Sequence, residues 1–316
     1  MSEGLFKPNK MKFSGTFPVK KALMSIVKIR PLRILSYKMF DSLEEADEWS
    51  GSSINEDGSE TIKYGVIKKD REDCKKPEFS QALFTHELCE IFEKNLPLPR
   101  EEKLKGNGTG VMVSSDGYIL TNFHLISGVA ESMKRTSESV IDQPVEIKGL
   151  EVEYPVAIDE DLNITYKKAE KVYLVSNPSA QLAYRDKHDL ALLRVEYETD
   201  NFLPLSPTNP PIGEEILNIG FTMRTQRLQA SKERFDYEDA NYDLRISKGE
   251  VLEEESPSSF LSDCDAGPGN SGSATLDKNG ELVGIYFGSK GNGIVDPSNI
   301  KRRHIYSKAV KEFFQI

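Results

Sequence analysis

From about residue 106 onward, short apolar runs alternate with turn signals, and this pattern constrains the fold more than any other feature of the chain. Val111-Met112-Val113 is followed by Ser115-Asp116-Gly117, a hairpin turn, and then by the returning run Tyr118-Ile119-Leu120-Thr121. Strand-like runs recur at Lys171–Ser176, Asp189–Val195 and Glu215–Gly220. Ala274–Leu276 and Leu282–Phe287 flank Asp277-Lys278-Asn279-Gly280, whose Asn-Gly pair is a strong hairpin signal. Many short strands joined by turns predict an all-β barrel or sandwich. Ile305–Phe314 carries Ile305, Val310, Phe313 and Phe314 and is expected to be a C-terminal amphipathic helix.

Composition narrows the function. At about 150 residues per domain, 316 residues allow roughly two domains. The net charge of −10 argues against a basic nucleic-acid-binding domain. The 38% of apolar residues, with 15 Phe and 12 Tyr, suffice for a sizeable core. No apolar run approaches the ~18 residues of a transmembrane helix. The three cysteines, Cys74, Cys89 and Cys264, do not form a disulfide framework; one bridge is allowed, between any two of them. No CxxC or Cys/His cluster has zinc-ligand spacing, so no metal site is expected, and no motif in the chain calls for another cofactor.

Residues 1–100 are read as an N-terminal extension, partly flexible, with one helix near residues 80–94. The first 40 residues hold nine Lys or Arg and one acid; the next 20 hold eight acids and no base. Val19–Val27 is a poor signal peptide because Lys28 and Arg30 interrupt its apolar core after about six residues. The favoured reading is a flexible or partly helical arm with solvated charge. A short strand is expected near Thr61–Lys68, within a loop spanning 41–75. Leu83, Phe84, Leu88, Ile91 and Phe92 share one helical face. His86-Glu87-Leu88-Cys89-Glu90 lacks the second histidine that a zinc helix needs at position 90. Pro97 and Pro99 place a boundary near residue 100. Glu131–Lys187 and Arg224–Lys248 are polar insertions, expected as surface loops, with a substrate cleft or a partner site as the sharper alternative.

Three stretches carry chemistry: Leu120-Thr121-Asn122-Phe123-His124, His188-Asp189-Leu190-Ala191-Leu192-Leu193, and Gly267-Pro268-Gly269-Asn270-Ser271-Gly272-Ser273. A serine hydroxyl is a weak nucleophile and needs an adjacent base. Histidine titrates near neutrality and serves as base and then acid. A carboxylate on its other ring nitrogen fixes the tautomer. Backbone N–H groups must meet the developing oxyanion, and a tight Gly-x-Ser-Gly turn aims those of Gly269 and Ser271 at one point. Gly106-Asn107-Gly108-Thr109-Gly110 is not a dinucleotide loop, since a strand follows it rather than a helix. Asp186, Asp265 and His188 compete for triad roles, but no motif supports His188, and no apolar strand follows Asp186.

In these motifs and their order, His then Asp then Ser, residues 106–316 resemble the trypsin-like (chymotrypsin-fold) serine peptidases. Gly-Thr-Gly-x-x-Val, Leu-Thr-Asn-x-His and Asp-Leu-Ala-Leu-Leu match the family's patterns. Pro-Gly-Asn-Ser-Gly-Ser resembles the bacterial form found in glutamyl endopeptidases and, less closely, HtrA-type proteases. The resemblance implies two six-stranded antiparallel β-barrels, residues 101–316 forming the protease domain, and nothing before residue 100 belonging to it. His124 would be the general base, Asp189 its orienting carboxylate and Ser271 the nucleophile, with the oxyanion hole at Gly269 and Ser271. Tyr286-Phe287-Gly288 would pair with the substrate backbone. Asp265, six residues before Ser271, lies where trypsin binds a basic side chain. Tyr286 replaces the histidine of glutamyl enzymes, which argues against Glu specificity and leaves basic or medium apolar side chains open. Asn270 and Ala274 depart from the family's usual residues, and Asn270 cannot form the ion pair of animal zymogens.

The expected activity is peptide-bond hydrolysis through an acyl-enzyme, acting on a peptide or protein. A non-catalytic binding module on the same fold, or an esterase, are the alternatives. No PDZ-like segment follows the protease domain, so an HtrA-style regulated oligomer is not expected. Relatives of this kind work outside the cytoplasm.

Overall fold

The computed structural model describes residues 19–67, 98–127, 144–160, 162–175, 189–222, 243–267, 269–290 and 301–314. The helix expected near 80–94, together with Cys74, Cys89, Asp186 and His188, lies outside the described residues. The chain forms two compact units, Leu32–Gly106 and the remainder. In chain order the first elements are α1 (Val19–Leu23), β1 (Ile26–Phe40), α2 (Leu43–Trp49), β2 (Gly51–Ile54), β3 (Glu60–Ile67) and β4 (Arg100–Lys105). Next come β5 (Gly108–Met112), β6 (Tyr118–Thr121), β7 (Val145–Ile147), β8 (Leu150–Ile158), β9 (Ile164–Lys168), β10 (Val172–Leu174) and β11 (Ala191–Val195). The last are β12 (Glu215–Thr222), β13 (Asp243–Ser256), β14 (Ser259–Ser262), β15 (Ala274–Leu276), β16 (Leu282–Lys290), β17 (Lys301–Tyr306) and α3 (Ser307–Phe314).

The larger unit has two parts. The first is a sheet in the order β9-β8-β1-β5-β6-β11-β10-β7, in which β1 contributes Ile26–Pro31. The second is a closed barrel, β12-β13-β14-β17-β16-β15. The expected six-stranded second barrel is thus present. The first half is a half-barrel sheet, consistent with the expected two-barrel architecture, in which no closing pair is hydrogen-bonded among the described residues; only Lys148 and Gly149 separate β7 from β8. The Asn-Gly hairpin between β15 and β16 forms as expected: Asp277 Oδ1 accepts from the N–H groups of Asn279 and Glu281, each at 2.9 Å. The C-terminal helix begins at Ser307, since Ile305 and Tyr306 finish β17.

Alternation explains why the strands around the site read as unbroken apolar runs. Met112, Ile119, Ala191, Leu193 and Val195 pack inside the first sheet. Val111, Leu120, Leu190 and Leu192 point the other way and meet Leu217, Ile219, Ala274 and Ile285 of the barrel. A strand buried on both faces needs apolar residues at every position.

The structure corrects the reading of the N-terminal arm. Ala22, Ile26, Val27 and Ile29 are fully buried. Val27 and Ile29 join the core of the first sheet, and Ile26 pairs with Val111. Lys28 and Arg30 sit between them on the opposite face, 3.4 and 3.5 Å from Glu153. Their charge is met by a strand distant in sequence rather than by solvent. The expected loops are corrected as well. β7, β8 and β9 lie inside Glu131–Lys187, and β13 begins at Asp243, inside Arg224–Lys248.

In the smaller unit, β1 from Arg33 to Phe40 pairs in parallel with β3 and, from Leu32 to Tyr37, antiparallel with β4. β2 forms a hairpin with β3, which confirms the strand expected near Thr61–Lys68. Leu35, Tyr37 and Val66 form its small core, with Tyr37 and Tyr64 stacked at 5.5 Å. Ser42 caps α2 by accepting from the N–H of Glu45, so residues 41–54 are more ordered than the expected loop.

Candidate active site

The β6–β11 pairing brings the first two motifs together. Thr121 is paired with Ala191 in antiparallel register, so the chain leaves the sheet after Thr121 and enters it before Ala191 at the same end. His124 follows on a 3-10 turn, Phe123–Leu125, whose Phe123 and Leu125 are buried and leave His124 facing out. Asp189 lies just before β11. Nδ1 of His124 is 2.5 Å from Oδ2 of Asp189, and the backbone N–H of His124 donates to Oδ1 at 2.8 Å. A carboxylate only accepts, so Nδ1 carries the hydrogen and Nε2 is left with its lone pair. Asn122 secures the pair by donating to the carbonyl of Asp189 at 2.8 Å. Its Oδ1 is buried without a partner among the described residues.

The third motif is a tight loop between β14 and β15. Asn270 is buried, accepts from the N–H of Gly267 at 3.1 Å and donates to Ser273 Oγ at 3.2 Å. The amide is therefore fully engaged within its own loop. Gly269 and Gly272 have φ of +91° and +84°. A Cβ on Gly272 would lie 1.9 Å from the carbonyl oxygen of Thr109, so the loop touches β5 where only glycine fits. Among the described residues, the N–H groups of Gly269 and Ser271 have no acceptor, whereas those of Asn270, Gly272 and Ser273 all do. No hydrogen bond joins Ser271 to His124 in this structure; the loop is tied to the His strand through Thr109, whose N–H donates to the carbonyl of Ser271 at 2.7 Å.

The other expected residues are placed as follows. Tyr286 is buried and its backbone is committed, accepting from the N–H of Gly272 at 2.9 Å and donating to Ser273 at 3.0 Å. Burial raises its phenol pKa above the usual value. β15 pairs with β16 only as far as Ile285. Beyond Tyr286, Phe287 and Gly288 leave one strand edge without a described partner, and a Cβ on Gly288 would meet nothing within 4 Å. Asp265 is exposed and engaged by two arginines, with Arg245 at 2.8 Å and Arg302 at 4.0 Å. Arg302 also donates to Ser289 Oγ at 3.1 Å and to the carbonyl of Cys264 at 3.2 Å. Sequence reasoning did not assign roles to Thr109, Thr121, Asn122, Arg245 or Arg302. The first three stand inside the quoted motifs, whereas nothing in the sequence marks the arginines. Among the described residues, no three His, Cys, Asp or Glu side chains are grouped to hold a metal, and no helix is long and apolar enough to cross a membrane.

The chain is similar to curated proteins named as probable periplasmic serine endoproteases. Probable periplasmic serine endoprotease DegP-like of Pseudomonas putida (strain W619) is 26% identical over 206 residues, covering 62% of this chain and 33% of the relative. The protein of the same name from Hahella chejuensis (strain KCTC 2396) is 26% identical over 211 residues, covering 66% and 34%. The chain thus spans about a third of the length of these relatives. Among solved structures, the HtrA-type protease AlgW with decapeptide gives a TM-score of 0.46 at 15% identity, covering 94% of this chain and 65% of that one. The serine endoprotease from Yersinia pestis gives 0.40 at 22% identity, covering 66% and 56%. The family model "Trypsin-like peptidase domain" matches residues 108–285, more than half of the chain. The chain belongs to the trypsin-like peptidase domain family.

Proposed function

We propose that this chain is a serine endopeptidase in which His124, Asp189 and Ser271 act as one catalytic unit. The observation that carries the reading is the His124–Asp189 pair, held by two hydrogen bonds that leave Nε2 of His124 as a base. The uncommitted N–H groups of Gly269 and Ser271 support it. The Ser271–His124 hydrogen bond forms on substrate binding, since catalytic hydrogen bonds are often long in unliganded enzymes.

In this mechanism Ser271 Oγ attacks the scissile carbonyl carbon while its proton passes to His124 Nε2. Asp189 stabilises the resulting imidazolium without taking the proton. The oxyanion accepts from the N–H groups of Gly269 and Ser271. The tetrahedral intermediate collapses, the C–N bond breaks, and His124 returns its proton to the leaving amine. Water then attacks the acyl ester by the same route, releasing the acid and restoring Ser271. The substrate backbone adds to the open edge of β16 at Phe287 and Gly288.

The periplasmic relatives support an extracytoplasmic site of action and peptide or protein substrates. A fluorophosphonate probe tests the reading. It should label the wild-type chain and not Ser271→Ala. Equal labelling of both would refute the assignment, and no labelling of the folded wild type would favour a binding module. Comparing turnover of matched peptide and ester substrates separates an endopeptidase from an esterase.

A further inference from the structure

We infer that Thr109 is a positioning residue that clamps the nucleophile loop and couples it to the histidine strand; the inference rests on the peptidase reading above. Thr109 is fully buried in β5 and uses every polar atom it has. Its N–H donates to the carbonyl of Ser271 at 2.7 Å. Its hydroxyl donates to the carbonyl of Gly269 at 3.0 Å and accepts from the N–H of Phe221 at 2.9 Å. A hydroxyl has one hydrogen, and Phe221 N–H can only donate, so the direction of both bonds is fixed. The Thr109 carbonyl accepts from Thr121 Oγ1 at 2.6 Å, three residues before His124.

Thr109 therefore grips the carbonyls at 269 and 271, on either side of Asn270. The far ends of the same two peptides are held too. Asn270 N–H donates to Gly267 at 3.0 Å, and Gly272 N–H donates to Tyr286 at 2.9 Å. The peptide between them is held by Ser273 N–H donating to the carbonyl of Asn270 at 2.8 Å. With that carbonyl turned inward, the trans peptide directs the N–H of Ser271 the opposite way. Gly269, at φ +91° and without a Cβ, has little intrinsic resistance to rotation, so the bond from the Thr109 hydroxyl fixes its orientation. Thr109 thus braces, from both sides, the peptide that carries the Ser271 N–H and, through Thr121, ties the loop to the strand that leads to His124.

The test compares Thr109→Val, which keeps shape and loses the hydroxyl, with Thr109→Ser, which keeps the hydroxyl, both in the full chain. The readouts are kcat and KM on a peptide substrate, and the affinity of a peptidyl trifluoromethyl ketone, whose adduct carries an oxyanion. Thr109→Val should lower kcat about 10- to 100-fold with KM within about twofold, and weaken the ketone by the same factor as kcat. Thr109→Ser should stay within about threefold of wild type. Should Thr109→Val fail to fold, Thr109→Cys, with its weak S–H donor, carries the same expectation. A hydroxyl-free variant that keeps kcat, or that loses kcat while keeping its grip on the ketone, overturns the clamp. A wild-type chain that neither cleaves peptide nor takes the fluorophosphonate overturns the peptidase reading, and the clamp with it.

Discussion

Asp189 holds His124 at both ends: one carboxylate oxygen meets Nδ1 at 2.5 Å and the other accepts the backbone N–H at 2.8 Å. Replacing the carboxylate by an amide keeps the shape and presents an N–H to the ring, which selects the wrong tautomer. Asp189→Asn should therefore lower kcat about 10,000-fold. Steady-state kinetics on a peptide substrate measure this, with circular dichroism confirming the fold. A loss below tenfold would remove Asp189 from the mechanism.

Two glycines flank Ser271 in different circumstances. At Gly272, with φ +84°, a Cβ would lie 1.9 Å from the backbone oxygen of Thr109, and no flexible side chain can give way. Gly267 has open space at the same position. Gly272→Ala should cost about 3 kcal/mol or more of stability, and Gly267→Ala no more than about 0.5 kcal/mol. Urea midpoints compare the two, and similar values would contradict the packing described.

His304 lies fully buried between Ser262 Oγ and Thr275 Oγ1, each at 2.7 Å. Burial, and secondarily the charge of Arg302, pushes its pKa down to about 3. Its folded pKa is thus below the unfolded value of about 6.5, and the unfolded chain binds the extra proton. The stability it contributes is whole above about pH 6.5 and is lost as pH falls toward 3, by up to about 1.4 kcal/mol per pH unit. Denaturant midpoints at pH 7 and pH 5 should differ less in His304→Gln than in wild type. Equal differences would show that His304 protonates in the fold.

Burial also raises the thiol of Cys264 to about 12. The thiolate is the reactive form, so Cys264 should resist iodoacetamide at pH 8 until the chain unfolds. Peptide mass mapping before and after denaturation reads this out. Rapid native alkylation would show that the segment after β14 opens.

The resemblance to trypsin would make Asp265 the reader of a basic substrate side chain, yet Arg245 and Arg302 already oppose its charge. A peptide-library profile should therefore favour medium apolar residues over Lys and Arg at the cleaved bond. Enrichment of Lys or Arg would mean that the arginines move aside.

The His124–Asp189 pair and the tight loop at Ser271 were legible because each part is local. His124 follows a strand, Asp189 precedes one, and the Ser271 loop needs small residues over a few positions. The closed barrel was legible through its Asn-Gly turn and apolar runs. The arm was not. Lys28 and Arg30 read as solvated charge because their partner, Glu153, lies over a hundred residues away. The alternation Val27-Lys28-Ile29-Arg30 was the available strand signal, hidden beneath the basic composition of the first 40 residues. How the edges of the first sheet meet was not legible in the local runs, and the two-barrel expectation came from the family resemblance. The pairing of Asp265 was hidden for the same reason, since neither arginine belongs to a motif.

The placement of β1 has a consequence for how the molecule is made. Synthesis delivers this strand before its neighbours in the sheet, β5 and β8. Over a hundred residues must be added after Lys28 before Glu153 exists, roughly ten seconds of elongation. Until β5 is made Ile26, Val27 and Ile29 have no neighbouring strand in this sheet, and until β8 is made they have one on a single side. Ordering the first sheet is therefore a late event, governed by long-range closure rather than by local propensity.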